Sequence, residues 1–135
     1  MIPRTRDQSL GGFSMGVSAV HLEKVGTTFA ELWDERNLDV IGPLYREDAV
    51  FISPNPPSFS SDFGTTLAGR DEILRYFRAV LEVIPSGAVT TVALLTGINV
   101  VVWVWVGGES TGADVLLFDD DGFIVQHHVT APRPG

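Results

Sequence analysis

The chain has 135 residues, the size of a single domain, and 44% of them are hydrophobic, which predicts a folded protein with its own core. Its formal net charge is −8 and it has no basic cluster, so a nucleic acid is not expected as a partner. It contains no cysteine, which excludes disulfides and thiolate ligands and fits a cytoplasmic protein.

Three segments are predicted from composition. Residues 1–17 are polar and Gly-rich, so we expect a flexible arm, and they lack the sustained apolar stretch of a signal peptide. Residues 18–131 are predicted to form one domain, and residues 132–135 a short tail. No apolar run is both long and unbroken enough to cross a membrane, so we expect no membrane partner.

The first half of the chain predicts helices. Apolar residues recur at helical spacing over residues 20–36, which predicts an amphipathic helix. A second, short helix is predicted over residues 40–46, limited by Gly42 and Pro43. A strand over residues 49–53 and a Pro- and Ser-rich loop over residues 54–66 follow.

The second half predicts a third helix and a β-sheet. The helix begins at Gly69 and ends before Pro85. Four strands follow, and the turns between them are so short that neighbours must be antiparallel. Residues 102–106 are apolar on both strand faces, so a second cover is needed, and we expect a homodimer packed through the sheet. The strands span residues 88–95, 100–106, 111–118 and 123–130.

This order of elements carries three familiar motifs: LWDERNLDVIGPLYREDAVFIS at 32–53, GRDEILRYFRAVL at 69–81 and VLLFDDDGFIVQHHV at 115–129. They resemble the nuclear transport factor 2-like superfamily, in particular its SnoaL-like and ketosteroid-isomerase-like small bacterial proteins. The resemblance implies an α+β, cystatin-like cone with three helices packed on a strongly curved antiparallel sheet. It also implies an apolar pocket for a small organic ligand.

The resemblance also assigns site positions. The acid–base aspartate of ketosteroid isomerases falls on Ser53, their oxyanion tyrosine on Phe29, and their neutral oxyanion aspartate on Asp114. The aspartate of the polyketide cyclases falls on Val129, whereas their histidine matches His127. The chain therefore departs from both mechanisms, and steroid isomerisation is not expected.

Asp114 and His127 are the predicted catalytic residues. Apolar neighbours should favour a neutral Asp114 carboxyl that donates to a ligand oxygen, although an Asp at a hairpin edge can instead stay solvated. His127 lies on the more apolar strand face, opposite His128, and could move a proton or simply be a buried histidine with a neighbouring acceptor. We expect no cofactor, and His21 is too isolated to complete a metal site.

Aromatic residues predict the pocket wall. Trp103 and Trp105 share one strand face and either line the pocket or seal the dimer. The loop over residues 54–66, with Phe59 and Phe63, is predicted to act as a lid. The predicted ligand-binding residues are Phe29, Trp33, Ser53, Phe63, Phe77, Trp103 and Phe118.

Two functions follow from these features. The first is a cofactor-independent isomerase, cyclase or hydratase-type enzyme that acts on an apolar carbonyl or polycyclic substrate by proton transfer. The second is a non-catalytic ligand-binding or dimerising accessory domain that has lost its base, which Ser53 and Phe29 favour.

Overall fold

The computed structural model describes residues 16–54 and 63–130. Helices and strands alternate in its first half, and four consecutive strands make up its second half. The fold class is α+β, as predicted. In chain order the elements are α1 Ala19–Glu35, two short 3₁₀ turns Leu38–Val40 and Gly42–Leu44, β1 Tyr45–Ile52, β2 Thr66–Ala68, α2 Arg70–Val83, β3 Val89–Gly97, β4 Val100–Gly107, β5 Ser110–Phe118 and β6 Ile124–Thr130.

The strands form one curved, open sheet in the order β2-β1-β6-β5-β4-β3. Strands β3 to β6 are antiparallel neighbours, which confirms the predicted meander. Strand β1 is parallel to β6, so the sheet is mixed rather than wholly antiparallel. Turn length predicts the pairing of consecutive strands only, and β1 reaches β6 across most of the chain.

Helix α1 lies directly on the sheet. Ser18 caps it, since its side-chain oxygen accepts from the His21 backbone N–H at 3.2 Å. A Cβ on Gly26 would come within 2.9 Å of the Leu94 side chain, so a larger residue would require that side chain to shift. The helix ends at Glu35, and the next residue, Arg36, caps it in a left-handed conformation with φ of 61°.

The predicted second helix takes the form of the two 3₁₀ turns, and β1 begins at Tyr45, earlier than the sequence predicted. Pro43 has no N–H to continue an α-helical ladder. Tyr45 instead pairs with Ile124 of β6. This early start matters for the site, because it makes Tyr45 part of the sheet.

The N-terminal end of the described chain is held in place. Val17 donates its backbone N–H to the Asn99 side-chain oxygen at 2.7 Å, so this end of the predicted arm is attached to the β3–β4 turn. Residues 1–15 of the predicted arm, and residues 131–135 with the predicted tail, lie outside the described residues.

Candidate functional site

A cavity of about 470 Å³ opens between the helices and the inner face of the sheet. That volume lies within the range of small-molecule sites. Its polar side chains are few: Asp114, Ser53, Ser110 and the Tyr76 hydroxyl. The rest of the wall consists of Trp33, Phe51, Phe77, Val80, Val83, Ile84, Pro85, Ala88, Val89, Trp103, Trp105, Gly107, Gly108 and Val129.

Asp114 is the carboxyl group of this wall. It lies on β5, opposite Trp103 of β4, and its side chain is only 6% exposed. Its Oδ1 accepts from the Trp105 indole N–H at 2.8 Å, and its Oδ2 lies 2.6 Å from His127 Nε2. Both oxygens are therefore fixed by neighbouring strands, which holds the carboxyl group in one orientation.

His127 supports Asp114 from behind the cavity wall. It is fully buried on β6, and the described wall residues do not include it. The rings of Phe29 and Phe51 contact the imidazole edge-on, at centroid distances of 5.0 and 4.7 Å. Its Nδ1 lies 2.7 Å from the Tyr45 hydroxyl. His127 thus faces inward, as predicted, but contacts Asp114 rather than the open cavity.

Tyr45, His127 and Asp114 form a hydrogen-bonded row behind the cavity wall. Burial, and secondarily the charge of Asp114, raises the pKa of Tyr45 well above its usual value, so its hydroxyl keeps its hydrogen. The imidazole tautomer sets whether this hydroxyl donates to His127 Nδ1 or accepts from it, and it also sets the direction of the bond between His127 Nε2 and Asp114.

Asp114 Oδ1 accepts from the Trp105 indole N–H, and its Oδ2 pairs with the His127 imidazole. The neutral carboxyl predicted from the apolar neighbours of Asp114 stays a prediction. The sequence did not reveal the full set of contacts, because Tyr45 and Trp105 approach from other strands.

Two hydroxyl residues share the cavity with Asp114. Ser53 follows β1, is buried, and is anchored by its backbone N–H, which donates to the Thr65 carbonyl at 2.8 Å. Tyr76 comes from α2, and burial, with a smaller contribution from the Asp114 charge, raises its pKa to about 12. Its hydroxyl stays protonated near neutral pH and can donate a hydrogen bond.

All three tryptophans of the sequence line the cavity. Trp33 stacks on Trp103 with ring centroids 6.2 Å apart, and Trp103 donates its indole N–H to Thr91 Oγ1 at 2.9 Å. The Trp33 indole N–H is buried and has no hydrogen-bond partner among residues 16–54 and 63–130. Trp103 and Trp105 thus face the cavity, which decides between the two positions that the sequence left open.

Comparison with known proteins now identifies the family. The family model of the SnoaL-like domain matches residues 27–127. The chain belongs to the SnoaL-like family. This match confirms the resemblance that the sequence motifs indicated. A search of functionally curated proteins found no match.

Solved structures share the SnoaL-like fold. A SnoaL-like protein of unknown function from Burkholderia thailandensis is 19% identical, with a TM-score of 0.74 over 87% of this chain and 98% of that one. A steroid delta-isomerase from Pseudomonas aeruginosa is 26% identical, with a TM-score of 0.64 over 90% and 85%. A protein of unknown function with a cystatin-like fold from Methylobium petroleophilum is 20% identical, with a TM-score of 0.70 over 89% and 81%.

Several predicted pocket residues lie outside this wall. Phe29 is fully buried against His127 and Trp103. Phe63 packs on Tyr76 and lies under the Arg75 guanidinium, whose carbon is 4.5 Å from the ring centre. Of the other predicted pocket residues, Trp33, Ser53, Phe77 and Trp103 line the cavity, whereas Phe118 packs near His21; Phe59 lies outside the described residues.

The described residues contain no group of three or more His, Cys, Asp or Glu placed to hold a metal ion. His21 lies near the β5–β6 turn, with its Nε2 2.9 Å from the Gly122 carbonyl oxygen. His128 faces away from the cavity and contacts the Gln126 side chain at 2.9 Å. Neither α1 nor α2 is long and apolar enough to cross a membrane.

Proposed function

We propose that this SnoaL-like protein is a cofactor-independent enzyme that transfers a proton on a small, mostly apolar carbonyl or polycyclic substrate. The observation that carries the proposal is a buried carboxyl group on the wall of an apolar cavity, held by the Trp105 indole N–H and by the His127 imidazole. A carboxylate in such surroundings is less solvated than in water, which favours proton abstraction from a bound substrate. An isomerase, cyclase or hydratase-type reaction would use this step.

In this proposal Asp114 is the catalytic residue and takes the proton, while His127 is a positioning residue. The imidazole is buried behind the wall and acts through its hydrogen bond to Asp114. Tyr76 supplies a protonated hydroxyl that can donate to the substrate oxygen on which negative charge develops. The steroid delta-isomerase among the structural relatives supports this class of reaction.

A specific observation favours the alternative, a non-catalytic ligand-binding or dimerising domain. Ser53 takes the position at which the resemblance expects the base, and it is buried at the cavity. Phe29, at the oxyanion position, has no hydroxyl and lies behind the wall. A carrier needs the cavity but not the reactivity of Asp114.

Deuterium exchange distinguishes the two functions. The protein is incubated with a panel of small apolar ketones in deuterated water, and deuterium on the substrate carbon is measured by mass spectrometry. We expect exchange in the wild type and a loss of about 100-fold or more in Asp114→Asn, the scale of a general base. Glu31→Gln, an exposed change on α1, is the charge-matched control.

Unchanged exchange in Asp114→Asn would overturn the catalytic assignment. An absence of exchange in the wild type, together with a ligand that is released unchanged on denaturation, would favour the carrier.

The protein has no cysteine, which fits the reducing cytoplasm in which we propose that it acts.

We also propose that the protein is a homodimer that packs through the outer face of the sheet. Strands β4 and β5 present a row of half-buried aliphatic side chains there, and Leu95 of β3 is 56% exposed. An apolar face of this kind is stabilised by a second apolar face. The row consists of Val102, Val104, Val106, Val115 and Leu117.

Sedimentation of two charge variants tests the dimer. Val104→Glu places a charge in the middle of the outer face and should give monomers. Val20→Glu adds the same charge on α1, where Val20 is 78% exposed, and should leave the dimer intact. A wild-type monomer at micromolar concentration would contradict this proposal.

A further inference from the structure

The exposure of the wall residues separates an inner end of the cavity from an outer end. Phe51, Phe77 and Asp114 are each at most 4% exposed. Four of the other described wall residues are exposed, and they lie where α2 ends and where β4 turns into β5. The cavity therefore opens between the end of α2 and this turn, and Asp114 lies away from the opening. The exposed wall residues are Val83, Pro85, Gly108 and Ser110.

The strand and helix geometry gives the distance between the two ends. Asp114 lies four residues further along β5 than Ser110, and a strand rises about 3.3 Å per residue, so the two are about 13 Å apart along the strand. On the opposite wall Tyr76 and Val83 are seven residues apart in α2, which corresponds to about 10 Å along the helix axis. Both walls therefore describe an elongated cavity.

The inner end contains most of the hydrogen-bonding groups of the wall. Val129 of β6 pairs with Asp114, and the pairing of β1 with β6 places Ser53 on the other side of Val129. Tyr76 lies at the same end, since the centre of its ring is 4.9 Å from that of the buried Phe51 ring. Burial raises the pKa of Tyr76 to about 12, so its hydroxyl stays protonated near neutral pH and can donate to a ligand oxygen.

The outer end is apolar. Among the described residues that line it, none is charged and only Ser110 has a hydroxyl group. Val83 is 53% exposed there and presents aliphatic surface to solvent. An apolar ligand chain that covers this surface removes it from water, which is favourable. The other residues of this end are Ile84, Pro85, Ala88, Val89, Gly107 and Gly108.

We infer that the cavity takes an elongated ligand in one orientation, with an oxygen group at the inner end and an apolar chain that leaves through the outer end. This inference rests on the proposed function in that the cavity is a ligand site, and it narrows the substrate class to carbonyl compounds whose oxygen lies near one end. A carbonyl group in the middle of the chain would lie among apolar side chains and lose its hydrogen bonds to water without replacement. Because the outer end is open, the chain can be longer than the cavity.

Methyl nonyl ketone and dipentyl ketone test the orientation, because these isomers have the oxygen near the end and at the centre of the same carbon chain. Binding is measured by indole fluorescence, since all three tryptophans line the cavity. We expect methyl nonyl ketone to bind about tenfold more tightly. This preference should fall to about threefold or less in Tyr76→Phe, which removes a hydroxyl at the inner end. It should persist in Ser110→Ala, which removes the hydroxyl at the outer end.

A tethered probe tests the open end. Methyl nonyl ketone is extended at the far end of its nonyl chain with a short polyethylene glycol chain. Because this extension leaves the cavity, we expect its affinity to stay within about threefold of that of methyl nonyl ketone. A loss of affinity of about tenfold or more would show that the outer end is closed to a longer ligand and would overturn this part of the inference.

Equal affinities for the two isomers would overturn the inference, as would a preference that survives in Tyr76→Phe or is lost in Ser110→Ala, or a wild type that binds neither ketone. These outcomes are independent of the exchange assay. Lost exchange in Asp114→Asn without a preference between the isomers would keep the catalytic role and remove only the ligand class. A preference between the isomers without any exchange would keep the ligand class and remove catalysis.

Discussion

The Tyr45 hydroxyl fixes the hydrogen-bond group behind the cavity, and its removal has a measurable cost. Tyr45→Phe keeps the buried ring but leaves His127 Nδ1, now 2.7 Å from the hydroxyl, without its hydrogen-bond partner. Because Tyr45 and His127 are both fully buried, water cannot replace that partner. An unsatisfied buried polar group costs about 1–3 kcal/mol, so we expect the free energy of unfolding to fall by this amount.

A double-mutant cycle isolates this bond. His127→Phe keeps an aromatic ring against Phe29 and Phe51 but leaves the Tyr45 hydroxyl without its hydrogen-bond partner. Adding Tyr45→Phe to that background removes an unsatisfied hydroxyl and should cost close to nothing. The coupling free energy, measured by urea unfolding, should therefore be about 1–3 kcal/mol.

Tyr76→Phe serves as the control, since Tyr76 contacts the same Phe51 ring at 4.9 Å but does not bond to His127. It should destabilise the protein less than Tyr45→Phe. A Tyr45→Phe protein as stable as the wild type would refute the reasoning. So would an equal loss with and without His127.

Two further predictions concern packing and pH. Gly112→Ala should destabilise the protein by about 1–3 kcal/mol in urea unfolding, because its Cβ would come within 2.4 Å of the Trp105 ring and 2.7 Å of the Thr130 carbonyl oxygen. Gly64→Ala is the control, since a Cβ there would meet nothing within 4 Å. Equal losses of stability in the two variants would contradict the packing argument. The tyrosines predict a loss of stability in alkali, because burial raises the pKa of both. The pKa of Tyr76 is raised from 10.0 to about 12, so its contribution is complete below pH 10.0 and is lost as the pH rises through about 12. The pKa of Tyr45 is raised well above 10.0, so its contribution is also lost only in alkali. Tyrosinate absorbance of the folded protein that rises with a midpoint near pH 10.0 would contradict these shifts.

Local patterns predicted much of this fold. Helix α1 and the β3–β6 meander follow from apolar spacing and short turns, which act between near neighbours in sequence. The same hairpin logic places Asp114 and His127 on one face, because β5 and β6 are joined by a short turn and pair with each other. The position of these two residues on one face of the sheet could therefore be predicted from the sequence.

The rest of the site depends on contacts between distant parts of the chain. Tyr45 meets His127 only because β1 lies parallel to β6, a pairing that no turn specifies. Trp105 reaches Asp114 across two strands whose exact register sets the 2.8 Å hydrogen bond. The hydrogen-bond partners of Asp114 therefore follow from the tertiary arrangement and not from its neighbours in sequence.

The central proposal is that Asp114 takes a proton from the substrate, which requires a carboxylate on the cavity wall. Infrared difference spectroscopy between the wild type and Asp114→Asn at neutral pH tests it most directly, because protonated and ionised carboxyl groups absorb in separate bands. We expect the loss of a carboxylate band in the variant. The loss of a protonated carboxyl band instead would contradict the proposed role of Asp114.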